Sequence, residues 1–155
     1  MSPEGTSEMK EIYLPLTDEN VRAAAEGRKT QTRRPIKGLP IGASFHSASA
    51  DGSILEFRYE GRSYFVDVPA SPGDILGVKE ALMKVDLGDE TKYAAFRDGG
   101  YVMGDGSMCD WRWKRDVLPA IFMPHAYCRY KYELVDVRAE LDGEVWVWVY
   151  DWGKA

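Results

Sequence analysis

The sequence predicts an α+β fold that is mostly β, and three observations carry that expectation. Short alternating or continuous apolar runs recur along the 155 residues, separated by turns rich in Gly, Pro and Asp. One stretch only, residues 17–27, combines a helix start, an apolar stripe and a helix stop. Strands do not alternate with long helices, and neither a glycine-rich dinucleotide fingerprint nor a P-loop is present, which disfavours a doubly wound nucleotide-binding fold.

In chain order, Glu11 to Leu16 reads as a strand. Thr17 then stands where an N-cap belongs, with Asp18 and Glu19 set against the helix dipole. Val21, Ala24 and Ala25 form the apolar stripe, and Gly27 supplies a left-handed stop. From Arg28 to Arg34 the chain is expected to be extended, since Thr30 and Thr32 are β-branched and Pro35 forbids a helical Arg34. Lys29, Gln31 and Arg33 would then face one way and Thr30, Thr32 and Arg34 the other.

Ile54 to Tyr59 and Ser63 to Val68 read as a hairpin turning at Glu60-Gly61-Arg62. Pro72-Gly73-Asp74 is a turn that launches the strand Ile75 to Lys79 and delivers Glu80 at its end. Residues 98–110, with two glycine-rich clusters and few aliphatics, read as turns and an exposed loop. Arg129 to Arg138 alternates as a strand, and Leu141-Asp142-Gly143 makes a tight turn into Glu144 to Trp152. Closing such short strands into a barrel would remove exposed edges.

A hydrophobic share of 45% with five Trp, nine Tyr and five Phe is enough to build a core, which excludes wholesale disorder. Residues 1–10 are expected to be a disordered tail and residues 11–152 a single domain. Glu4 and Glu8 stand where a secretory leader would be basic and then apolar, and no apolar run reaches membrane-spanning length, so the expected compartment is the cytoplasm. Cys109 and Cys128 lack zinc spacing, and His46 and His125 are the only histidines, so neither a metal nor another cofactor is called for.

The net charge of -5 is unevenly spread. Residues 22–37 hold six basic residues against Glu26, and residues 111–132 hold five against Asp116. If the two segments meet, a cationic surface stands on an acidic body, and that surface rather than the total charge decides whether nucleic acid is a partner. The other reading of such runs is solvated loops.

Glu26 to Arg34, EGRKTQTRR, followed by Pro72-Gly73-Asp74 and an apolar strand ending in Glu80, resembles the ASCH domain of the PUA-like superfamily, in its phage and prophage branch. Trp111-Arg112, Ile121 to Pro124, Tyr127 to Arg129 and the terminal WVWV extend the resemblance over most of residues 11–150. It implies a small PUA-like β-barrel with few flanking helices, a cleft between barrel and helix, and partners among RNA and modified nucleotides. Some ASCH proteins are amidohydrolases acting on N4-acetylcytidine, and their lysine and threonine correspond to Lys29 and Thr32 here. Their acid lies on a helical insertion that this chain replaces by Leu141-Asp142-Gly143, so Glu80 is the substitute acid, with Asp142 and Glu144 next.

In that chemistry Lys29, crowded by Arg28, Arg33 and Arg34, would serve as base and Thr32 as nucleophile. Glu80 could pair with Lys29 or Arg33, as acid/base partner or as a plain ion pair. For binding, the candidates are Arg28, Thr30, Arg33, Arg34, Trp111, Arg112, Tyr127 and Arg129, guanidinium forks for phosphate and rings for stacking; Trp113, Tyr130 and Tyr132 are further stackers or core residues. His125 reads as a phosphate contact or a structural histidine. The resulting expectation is nucleotide or single-stranded RNA binding through a cationic cleft. The alternatives are a hydrolase on N4-acylated cytidine and a phage accessory protein that binds a host protein.

Overall fold

The computed structural model describes residues 9–88 and 90–153. It is mostly β, as the sequence predicts, with fourteen strands, one α-helix and two single-turn 3-10 segments among the described residues. No described helix is long and apolar enough to cross a membrane. Most of the expected tail, residues 1–8, lies outside the described residues; within it Lys10 donates its backbone N–H to Asp74 Oδ1 at 3.1 Å. The chain divides into two compact units, each assembled from separate segments.

The first unit takes in residues 30–74 and 133–153. Its strands are β2 (Gln31–Pro35), β3 (Ser44–Ala48), β4 (Ile54–Tyr59), β5 (Arg62–Asp67), β13 (Asp136–Asp142) and β14 (Val145–Asp151), arranged in two antiparallel sheets of order β3-β4-β5 and β13-β14-β2. β4 and β5 form the expected hairpin, with Tyr59 opposite Arg62 and Glu60 and Gly61 alone in the turn. Both turn residues have positive φ, 50° and 77°, which matches the twist a two-residue hairpin needs. β14 is the central strand of its sheet, so Val147, Trp148, Val149 and Tyr150 are all buried in spite of their alternation. Phe57, fully buried, packs edge-on to Phe45 and Trp146.

The second unit takes in residues 11–29 and 75–132. Here β1 (Glu11–Pro15) pairs in parallel with β6 (Ile75–Lys79), and β12 (Lys131–Glu133) lies on the other side of β6. A second sheet has the order β11-β7-β8, from Val117–Leu118, Leu82–Asp86 and Lys92–Phe96, and β9 (Met103–Gly104) and β10 (Ser107–Met108) make a short hairpin. The helix α1 (Asp18–Ala25) starts as expected: Thr17 Oγ1 accepts from the backbone of Asn20, and Gly27 past the helix end has φ 78°. Val21, Ala23 and Ala24 are its buried residues, and Val21 packs with Leu16 and Val78. Leu82, Phe96, Val102 and Met123 form a second cluster.

Three expectations need correction. Arg28 and Lys29 are not in the extended segment: both donate their backbone N–H to Ala23 O, closing the helix, and the strand begins only at Gln31. Residues 98–110 are not simply an exposed loop, because they contain the β9–β10 hairpin and Val102, which is 1% exposed and bonds through its backbone to Ala94 and Cys109. A single apolar anchor among glycines leaves no periodic trace. Residues 129–138 are not one strand, since the chain leaves β6 after Glu133, buries Leu134 and joins β14 from Asp136.

Candidate functional site

In the second unit the strand β6 ends at Lys79 and delivers Glu80 into the interior, 3% exposed. Its partner is Arg129. Nε donates to Oε2 at 2.9 Å and Nη2 to Oε1 at 2.8 Å, so both carboxylate oxygens are held in a fork-to-fork pair. Arg129 Nη2 also donates to Asp98 Oδ2 at 2.7 Å, and the guanidinium lies over the rings of Phe96 and Tyr130, 3.8 and 4.8 Å from their centroids. Burial works against the Arg129 charge, but the bonds from Glu80 and Asp98 outweigh it and hold its pKa above the ordinary arginine value. The Gly100 N–H, then Arg129, hold the Asp98 carboxyl below the usual aspartate range.

A cavity of about 260 Å³ opens beside this pair, walled by α1 on one side and by Arg97 and Asp98 on the other. Asp18, Arg22 and Glu26 line it from the helix. Arg97, whose Nε is 3.9 Å from Asp18 Oδ2, contributes from the turn after β8.

Further along the same unit Trp111, Arg112 and Tyr127 come together, joined by Trp113. Trp111 and Trp113 meet edge to face at 4.8 Å, and Trp113 and Tyr127 at 6.1 Å with their planes 86° apart. Arg112 is exposed, with its guanidinium carbon 5.4 Å from the Trp113 centroid and 5.8 Å from that of Tyr127. Trp111 Nε1 donates to Arg115 O at 2.8 Å, which fixes the loop that carries exposed Lys114 and Arg115. Burial raises the Tyr127 phenol pKa, and Arg112 acts the other way. His125 is exposed and stacks on Tyr13, with ring centroids 3.8 Å apart.

The remaining candidates lie on the helix end and on β2. Arg28 is exposed and ion-paired with Glu26 at 2.7 Å, while Lys29 is half-buried just past the helix end. On β2, in the first unit, Thr32 is 5% exposed, paired in register with Tyr150, and Arg33 is exposed and bonded to Glu140 at 3.1 Å. Arg34 is half-buried, and burial lowers its pKa. Thr30 accepts the Trp152 N–H through its carbonyl. Sequence reasoning missed Arg97 and Asp98. The acid ahead of Gly99-Gly100 was the available signal, read only as a turn.

No family model, curated protein or solved structure matches the chain.

Proposed function

We propose that the chain is an ASCH-type, PUA-like barrel domain of the cytoplasm that binds a nucleotide or single-stranded RNA, with Arg112, Trp113 and Tyr127 as its contact face. The observation that carries this reading is the exposed Arg112 guanidinium set over two perpendicular rings. Rings offer a stacking surface to any base, and a guanidinium displaced from them can follow the phosphate. Lys114 and Arg115, both exposed, add cationic charge beside them. Both cysteines are free thiols, in keeping with a reducing compartment.

Both oxygens of Glu80, the substitute acid for hydrolysis, accept from Arg129, a geometry that favours its plain ion-pair reading over acid/base work.

Fluorescence anisotropy with a labelled twelve-nucleotide RNA tests the reading. Stacking is worth roughly 1–3 kcal/mol per base, so Trp113→Ala is expected to weaken binding at least fivefold at low salt, and Arg112→Ala to weaken it as well. Retention that is unaffected by both substitutions, in variants with wild-type circular dichroism, would remove this face from the binding site.

A further inference from the structure

The cavity beside α1 has an imbalance of hydrogen-bonding capacity. Its carboxylates are largely occupied: Glu80 by Arg129, Asp98 by Arg129 and the Gly100 N–H, and Glu26 by Arg28. Its guanidiniums are not. Arg22, on the helix wall, makes no side-chain hydrogen bond or ion pair with any described residue, and the Arg97 contact with Asp18, at 3.9 Å, is too long for a hydrogen bond. Two forks with open donors therefore line a space in which Asp18 is the one carboxylate not held by a hydrogen bond among the described residues.

The volume adds a second constraint. At about 260 Å³ the cavity exceeds what a bare inorganic anion fills and falls just under the range of drug-sized pockets. Val21 and Ala25 give the helix wall an apolar strip, and Tyr130 adds part of a ring. Arg129 is outweighed by the two carboxylates it bridges, so the trio stiffens the floor with a net negative charge, and the positive charge of the site rests on Arg22 and Arg97.

We propose that this cavity binds a phosphomonoester, with the phosphate held between Arg22 and Arg97 and a small organic body resting on Val21, Ala25 and Tyr130. Phosphate suits two guanidiniums because each fork can donate two parallel bonds to its oxygens. Asp18 is the competing anion, since it occupies the Arg97 side of the same wall. The site does not depend on the RNA-binding reading, because none of its residues belongs to the Arg112 face. The phosphomonoester could come from a free metabolite or from the phosphorylated end of an oligonucleotide.

Isothermal titration of the full chain with ribose 5-phosphate, ribose and inorganic phosphate tests the site. Saturable binding of ribose 5-phosphate is expected, at least tenfold tighter than either of the others. Arg22→Ala and Arg97→Ala should each weaken it at least tenfold, Asp18→Asn should tighten it, and Arg62→Ala, the control for loss of one charge, should leave it unchanged. Arg22→Lys, which keeps the charge and the helix, guards against a folding artefact and is expected to bind with intermediate affinity. A 5′-phosphorylated hexanucleotide that binds more tightly than its 5′-hydroxyl form, with the difference lost in Arg22→Ala, identifies the source as a nucleic-acid end; equal binding of the two identifies a free small molecule. Equal affinity for ribose and ribose 5-phosphate, no saturable binding of either, or unchanged affinity in both Arg22→Ala and Arg97→Ala overturns the proposal.

Discussion

Glu80 and Arg129 share two hydrogen bonds, 2.9 and 2.8 Å long, with 4% of the Glu80 side chain and 26% of the Arg129 side chain exposed. The pair ties the end of β6 to the segment ahead of β12, so it fixes the floor of the α1 cavity.

Losing one member of such a pair leaves the other charge buried without compensation. The cost is about 3–5 kcal/mol for a fully buried pair, and the partial exposure of Arg129 puts Glu80→Gln near the lower end. Asp98→Asn should cost less, under about 1 kcal/mol, because a half-exposed carboxylate is screened by water. Urea unfolding of the two variants checks the order. Equal losses would mean that the buried pair is not what holds this floor.

Gly77 faces Tyr13 across the parallel β1–β6 pair, and a Cβ there would sit 2.4 Å from the Tyr13 ring. The ring has little room to give, since His125 stacks on it and its hydroxyl donates to Glu11 at 2.6 Å. Gly77→Ala should therefore cost about 1–3 kcal/mol or more. Gly61→Ala meets open space and pays only for its left-handed backbone, about 1 kcal/mol. Thermal unfolding should rank Gly77→Ala as the more damaging, and Tyr13→Ala should recover part of that loss in the double variant.

Asp51 caps the β3–β4 turn. Hydrogen bonds from the Ser53 hydroxyl, then the Ser53 N–H and the Ser49 hydroxyl, lower its pKa to about 2. A folded-state pKa below the unfolded one means that the stabilisation is fully present above the unfolded value near 3.8 and is lost as pH falls through about 2. A carboxyl NMR titration should place the Asp51 midpoint near 2, with Ser53→Ala moving it back toward 3.8. A wild-type midpoint at 3.8 would contradict the capping geometry.

Binding at the Arg112 face should be strongly salt-dependent. Each phosphate contact removed from a single strand lowers the slope of log K against log salt by about 0.7, so Lys114→Ala and Arg115→Ala should flatten it stepwise in RNA titrations from 50 to 200 mM salt. An unchanged slope in the double variant would place the phosphates elsewhere.

Much of the scaffold was legible because local signals agreed. Thr17, the acids after it and Gly27 marked α1, and Glu60-Gly61-Arg62 marked a hairpin whose register differs only in drawing Arg62 into the strand. β7 and β8 left weak traces: LMKVD and KYAAF are short, and the buried Ala94 and Ala95 carry little periodic signal. The sheet change after Glu133 is a tertiary event that an alternating pattern cannot record. At the site, Glu80 was legible as a strand-end acid, but its choice of Arg129 depends on contacts across 49 positions. The grouping of Trp111, Arg112 and Tyr127 needed the loop to fold back through Trp113, so only the residue types could be read in advance.

The interleaving of the two units has consequences for biosynthesis and for dissection. β2 waits on the ribosome until β14 emerges, since Thr32 finds its sheet partner only in Tyr150, whereas residues 11–29 need only residues 75–132. A premature stop that removes residues 145–155 would leave β2 and β13 both without the strand between them, two unpaired edges that invite proteolysis or aggregation. A single cut after residue 74 would distribute pieces of both units to both fragments. Either unit could therefore be expressed by itself only from a gene in which the segments of the other have been cut out and the flanking ones joined.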